Sequence, residues 1–223
     1  MLEDLLRDEF IDVLNATERR FGAPIIPKNA PLRIEDIDEH KFAIIDSKDD
    51  PITIKRAWML GIASYQNGEV GNTYPLRFIC YDEYVHQFTY DDGQGHPTIN
   101  QLNDDFKPAD YLVYDKSEKK ECFIVHELSI GRRDSKFKNG RKQLSNTVRV
   151  LCECPEIKAL ISSFSKRLCI LSIAKENITS PLNMASPFIE QVNSVLPEPL
   201  PFNFGQIKTN KFEALETTYV EVK

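Results

Sequence analysis

Two acids stand where apolar residues are expected. Asp110 opens the run Tyr-Leu-Val-Tyr at 111–114, and Glu127 lies late in Cys-Phe-Ile-Val-His-Glu-Leu-Ser-Ile at 122–130. Both runs have the β-branched and aromatic content of strands. Strand side chains alternate between faces, so Phe123, Val125, Glu127 and Ser129 share one face, and Ile124, His126, Leu128 and Ile130 the other. On the first strand Asp110 goes with Leu112 and Tyr114. The polar residues 116–121 form a connection short enough for a hairpin, which brings Asp110 and Glu127 together near one end of the sheet. A carboxylate on an apolar face is costly unless it is solvated, paired or metal-bound. Two close carboxylates repel each other, and a divalent cation resolves the repulsion.

The second chemical signal is basic. Residues 132–142, Arg-Arg-Asp-Ser-Lys-Phe-Lys-Asn-Gly-Arg-Lys, carry six positive side chains. The chain as a whole has a net charge of -6, which taken alone argues against nucleic acid, but residues 116–176 hold 14 Lys/Arg against 7 Asp/Glu. Local sign governs the field that a phosphate backbone meets. Arg132, Arg133, Lys138, Arg141 and Lys142 are therefore the candidate nucleic-acid contacts. Gly131 and Gly140 let residues 131–140 adapt as a loop, and Phe137 is able to stack on a base. The competing reading is a solvated connection with Phe137 tucked onto the core.

These residues need a frame to hold them. Residues 2–20 show apolar positions at helical spacing, ended by Gly22 and Pro24. Residues 23–38 are Pro-rich and read as irregular. Strands are expected at 41–46, 52–55, 76–81 and 84–90, and 57–64, with Trp58 in the core, is ambiguous between helix and buried strand. Residues 91–97 read as a loop. After the hairpin, 141–151 and 155–164 read as helices. The continuous apolar run 167–174 reads as a central strand covered on both faces. A helix is expected over 186–196 and an edge strand at 217–222. The strand–helix–strand passage from 122 to 174 implies a parallel crossover. The fold class is thus α/β with a mixed sheet flanked by helices.

The arrangement resembles the PD-(D/E)xK nuclease superfamily, the restriction-endonuclease-like fold. Members carry an acid at the start of one strand and an acid–x–lysine on the next. Here Pro108-Ala109-Asp110 is followed, after sixteen residues, by Glu127-Leu128-Ser129. Gln143 then lies on a helix, as in many members, where the resemblance adds it as a neutral candidate nucleic-acid contact, and an apolar strand follows. The likeness spans roughly residues 105–175 and departs from the pattern in three places. Alanine splits the Pro–Asp pair, and Ser129 stands at the lysine, which serine cannot replace as a positive charge. The partner expected four residues after Gln143 is tyrosine, and here it is Thr147.

The resemblance implies a restriction-endonuclease-like core over 106–176, with an N-terminal α+β elaboration at 1–105 and a C-terminal helix and tail at 177–223, all in one domain. It implies Asp110, Glu127 and the carbonyl of Leu128 as ligands of Mg2+ or Mn2+. Lys136 comes first among the lysines able to stand in for the missing one, ahead of Lys138 and Lys142. Glu9 on the first helix is a further acid of the kind such sites recruit. The activity implied is endonuclease cleavage of nucleic acid, DNA rather than RNA, with residues 1–105 offering a dimer or substrate-selecting face. The alternative is an inactive nuclease-like module that binds nucleic acid or protein, a reading Ser129 favours. His126, on the opposite face from Glu127, reads as structural. No apolar run reaches the roughly 18 residues of a membrane span, and five scattered cysteines suit reduced thiols. The expected setting is the cytoplasm.

Overall fold

The computed structural model describes residues 1–17, 24–25, 30–45, 52–55, 61–91, 97–99, 107–131, 133–174 and 198–223. A large sheet is built from β2 (Ile34–Ile37), β6 (Leu76–Cys80), β9 (Tyr111–Asp115), β10 (Cys122–Ile130), β11 (Lys166–Ala174), β12 (Leu200–Phe202) and β13 (Glu213–Glu216). Its spatial order is β12-β13-β11-β10-β9-β6-β2. The strands β6, β9 and β10 form an antiparallel meander. The chain then crosses through α4 (Arg133–Glu153) and α5 (Pro155–Ser162) to β11, which runs parallel to β10. This is the expected crossover. Beyond it β13 is parallel to β11, and β12 closes that edge antiparallel.

The alternation of side chains divides the core in two. Leu112, Tyr114, Phe123, Val125, Cys169 and Leu171 face the helices, where they join Leu144, Val148 and Leu151 of α4 and residues of α1 (Leu2–Arg7), α2 (Glu9–Thr17) and α5. Val113, Ile124, Leu168 and Ile170 face a second sheet made of β3 (Lys41–Ile44), β4 (Thr53–Lys55), β5 (Ala63–Asn67) and β14 (Tyr219–Val222). From that sheet Phe42, Ile44 and Tyr65 complete the second core. Covering on both faces explains why β10 and β11 are nearly continuous apolar runs. Phe123 shows the energetic weight of this packing. Its ring meets Phe164 at 5.6 Å and Phe212 at 6.3 Å, and truncating such a buried ring costs about 3–5 kcal/mol. A further small sheet joins β1 (Pro24–Ile25), β7 (Thr89–Asp91) and β8 (Pro97–Ile99).

Ion pairs fasten the first helix and the edge strand to this sheet. Glu3 Oε1 accepts bonds from Arg77 Nη1 at 2.7 Å and the Tyr114 hydroxyl at 2.6 Å. Arg77 also grips both oxygens of Asp36, each at 2.7 Å, and Asp36 lies directly across from Arg77 in the β2–β6 register. The Arg77 hydrogen bonds, joined by Lys116, hold the Asp36 carboxyl down to about 2.

Several expectations are corrected. The helix expected over 2–20 is interrupted at Asp8, and residues 18–20 lie outside the described part. The strand expected at 84–90 is partly helix, α3 (Tyr81–Val85). Tyr81, Tyr84, Val85 and Phe88 are all buried, and their spacing has the helical period. The Pro-rich stretch contains β1 and β2 rather than being irregular throughout. The basic segment 131–140 is not a loop, because α4 begins at Arg133. The expected helix 186–196, Trp58 and most of the 91–97 loop lie outside the described residues. Among the described residues no helix is long and apolar enough to cross a membrane.

Candidate functional site

The hairpin brings the two acids together. Tyr111 pairs with His126 as the last rung of the β9–β10 ladder, so the continued register sets Asp110 opposite Glu127. Directly opposed residues on antiparallel strands share a face. The hairpin end far from the acids is tied by Asp115, which is fully buried. Its carboxylate accepts bonds from Ser117 N at 2.8 Å, Ser117 Oγ at 2.7 Å and Glu121 N at 3.0 Å.

Asp110 is half-buried, and its Oδ2 accepts a bond from the amide of Leu128 at 2.6 Å. Its carboxylate therefore rests on the peptide that follows Glu127. Its main-chain carbonyl accepts from Tyr81 N at 2.8 Å, where α3 begins. Glu127 is 5% exposed, with Oε2 closed off from solvent. Its stem lies under α4. A Cβ added at Gly140 would stand 3.3 Å from Glu127 Cγ and only 2.4 Å from Leu171 Cδ1. Glycine at 140 is thus what lets the helix approach β10 and β11, despite its helix cost of about 1 kcal/mol. The Leu128 side chain is buried on the other face, in the core against the second sheet.

The basic residues lie on α4, not on a loop. Lys136, Lys138 and Lys142 are exposed. Lys136 precedes Gly140 by one helical turn, about 6 Å of rise, and Ser129 follows Glu127 by about 6.7 Å of strand. Of Lys136 and Gly140, the one with a shown contact to the strands is Gly140, at Glu127 of β10 and Leu171 of β11. Arg141 is committed within the fold. Its guanidinium lies over the rings of Phe137 at 4.9 Å, Phe202 at 5.2 Å and Phe204 at 5.1 Å, and Nη2 donates to the Asn203 carbonyl at 2.7 Å. Phe137 accordingly packs on Phe202 rather than standing clear for a base. Arg133 is the first residue of α4, and Arg132 lies outside the described residues.

Gln143 and Thr147 were visible in the sequence, but their partner was not. Gln143 Nε2 donates to the Pro108 carbonyl at 3.0 Å, and the Ala109 amide donates to Thr147 Oγ1 at 2.8 Å. Both bonds fall on the chain just before Asp110. The available signal was a polar pair at i, i+4 beside the buried Leu144, Val148 and Leu151.

His126 belongs to the other face, as expected. It is fully buried, with Nδ1 at 2.6 Å from the Tyr65 hydroxyl and Nε2 at 2.8 Å from Ser172 Oγ. Ser172 donates its only proton to the Thr217 carbonyl at 2.6 Å. Ser172 must therefore accept from Nε2–H, which leaves Nδ1 to accept from Tyr65. Burial alone pushes His126 down to about 3, so it is neutral and structural. The five cysteines are free thiols, and burial pushes Cys80 and Cys122 up to about 12.

Two carboxylates at facing register positions supply hard oxygen donors of the kind Mg2+ and Mn2+ prefer. Mg2+ is commonly held by one or two carboxylates, with water and substrate phosphate completing its shell. The pair at 110 and 127 fits that pattern. Glu9 is half-buried on α2, and among the described residues no group of three or more His, Cys, Asp or Glu side chains is placed to hold a metal. Compared with known proteins, the chain matches no family model, no curated protein and no solved structure.

Proposed function

We propose that the chain is a metal-dependent phosphodiesterase of the restriction-endonuclease-like kind, acting on nucleic acid and on DNA in preference to RNA. The observation that carries this reading is the contact between the Asp110 carboxylate and the Leu128 amide, which sets one acid against the peptide of the other. The order of helix, three-stranded meander, helix and parallel strand around that contact agrees with the resemblance drawn from the motif. Asp110, Glu127 and the Leu128 carbonyl would hold Mg2+ or Mn2+. A cation held by these residues would supply an acidified water and charge compensation at the phosphate. The exposed Lys136, Lys138 and Lys142 attract the backbone by counterion release. Lys136, the first candidate among the exposed lysines of α4, takes the charge-stabilising role that serine cannot. Arg141, held among three phenylalanines, has a structural part instead.

Plasmid incubated with Mg2+ or Mn2+ tests this directly. Wild type is expected to nick or linearise it, and Glu127→Ala and Lys136→Ala to lose most of that activity. If wild type and Glu127→Ala both leave the plasmid supercoiled across several metals, the enzyme reading is wrong. Ser129 in the lysine position favours a second reading, a nuclease-like module that binds without cutting. That reading predicts salt-dependent DNA binding by wild type with no cleavage.

A further inference from the structure

We propose that Thr147 and Gln143 act together as a clamp that positions Asp110; the proposal rests on the metal-site reading above. In the continued register Ala109 lies opposite Leu128, where the ladder would run on. Instead the chain turns onto α4. The Pro108 carbonyl accepts from Gln143 Nε2 at 3.0 Å, and the Ala109 amide donates to Thr147 Oγ1 at 2.8 Å. Pro108, Ala109 and Thr147 are buried, so these bonds compete little with water and are costly to lose. On the other side of Asp110, its own carbonyl is held by the amide of Tyr81. The main chain is therefore fixed both before and after Asp110, leaving the side chain only its own rotamers. From that fixed point Oδ2 reaches the Leu128 amide. The Ala109 amide, which the continued register would turn toward β10, goes to Thr147 instead, and the amide of Leu128 goes to the acid. Neither Thr147 nor Gln143 need touch substrate or cation for this; each acts through the backbone on where the carboxylate stands.

Thr147→Val keeps the shape of the side chain and removes the acceptor, whereas Thr147→Ser keeps the acceptor. The clamp is read from amide hydrogen exchange by NMR at Leu128, with Ile124 on the same strand as the internal reference. Thr147→Val should speed exchange at Leu128 by about tenfold or more relative to Ile124, as expected when a local opening is uncoupled from global unfolding. Thr147→Ser should match wild type. Should Thr147→Val not fold, Gln143→Met carries the same expectation. Unchanged exchange at Leu128 in a folded variant, or equal acceleration by Thr147→Ser, overturns the clamp. A Mn2+ titration asks what the clamp serves. Affinity weaker by roughly 10–100-fold in Thr147→Val, the usual effect of losing an outer-shell partner, supports a positioning role, and affinity equal to wild type overturns it. A wild type that binds no Mn2+ defeats the metal-site reading instead, while the exchange at Leu128 still judges the clamp.

Discussion

His126 makes stability depend on pH in a window that few other groups share. In the folded chain it titrates at about 3, against 6.5 when exposed, because it is wholly buried. Above pH 6.5 neither the folded nor the unfolded chain binds this proton. Below 6.5 the unfolded chain takes it up and the folded chain does not, so stability falls as pH falls, until about pH 3. The slope is about 1.4 kcal/mol per pH unit. By pH 4.5 the loss from this one group reaches about 2.7 kcal/mol, a large share of the 5–15 kcal/mol typical of a domain. The test is urea unfolding of wild type and His126→Gln from pH 7.5 to 4.5. The variant starts lower, by about 1–3 kcal/mol, since the bonds to Tyr65 and Ser172 are disturbed. The gap should then close by about 2.7 kcal/mol as the pH falls. Carboxylates held low in the fold, such as Asp36, act alike in both proteins and cancel in the difference. Parallel curves with a constant gap would show that His126 is protonated in the folded chain, and the buried relay from Tyr65 to Thr217 would be wrong.

Two further substitutions probe what surrounds the acids. Gly140→Ala gains about 1 kcal/mol of helix preference and loses about 1–3 kcal/mol to crowding against Leu171 and Glu127; equilibrium unfolding should show a net loss of about 0–2 kcal/mol, while plasmid cleavage falls because Glu127 is displaced. Cleavage at the wild-type rate would refute the close approach of α4. Arg77→Lys keeps the charge but cannot span Asp36 and Glu3 together. It should lower unfolding stability by about 1–2 kcal/mol and raise the Asp36 carboxyl toward its ordinary 3.8, read by NMR titration; a variant as stable as wild type would remove the network from the account.

The sequence was most legible where two independent signals agreed. The boundaries of β10 coincide with the expected strand, because its alternation and its polar flanks both pointed there. In β11 an apolar run of strand length reported covering on both faces. Elsewhere composition and period conflicted. Tyr81, Tyr84, Val85 and Phe88 have strand-like residue types at helical spacing, and the spacing prevailed because one helical face met the core. The start of α4 looked like a loop because glycine and charge cluster there, yet Gly140 is a packing residue at the closest approach to Leu171. β2 hid among prolines and is secured by a partner forty-one residues away, since Asp36 faces Arg77. At the site, the acids announced themselves by the cost of placing carboxylates among apolar residues. The hold of Gln143 and Thr147 on Pro108 and Ala109 depends on the chain leaving the ladder for the helix, which no local pattern encodes.

The most direct measurement of the central claim is Mn2+ binding followed by the free-ion EPR signal, on wild type, Asp110→Ala and Glu127→Ala. Saturable binding by wild type is predicted, weakened about tenfold or more in each variant while circular dichroism shows both still folded. No binding by wild type, or equal binding by all three proteins, would contradict the assignment of Asp110 and Glu127 to a shared cation.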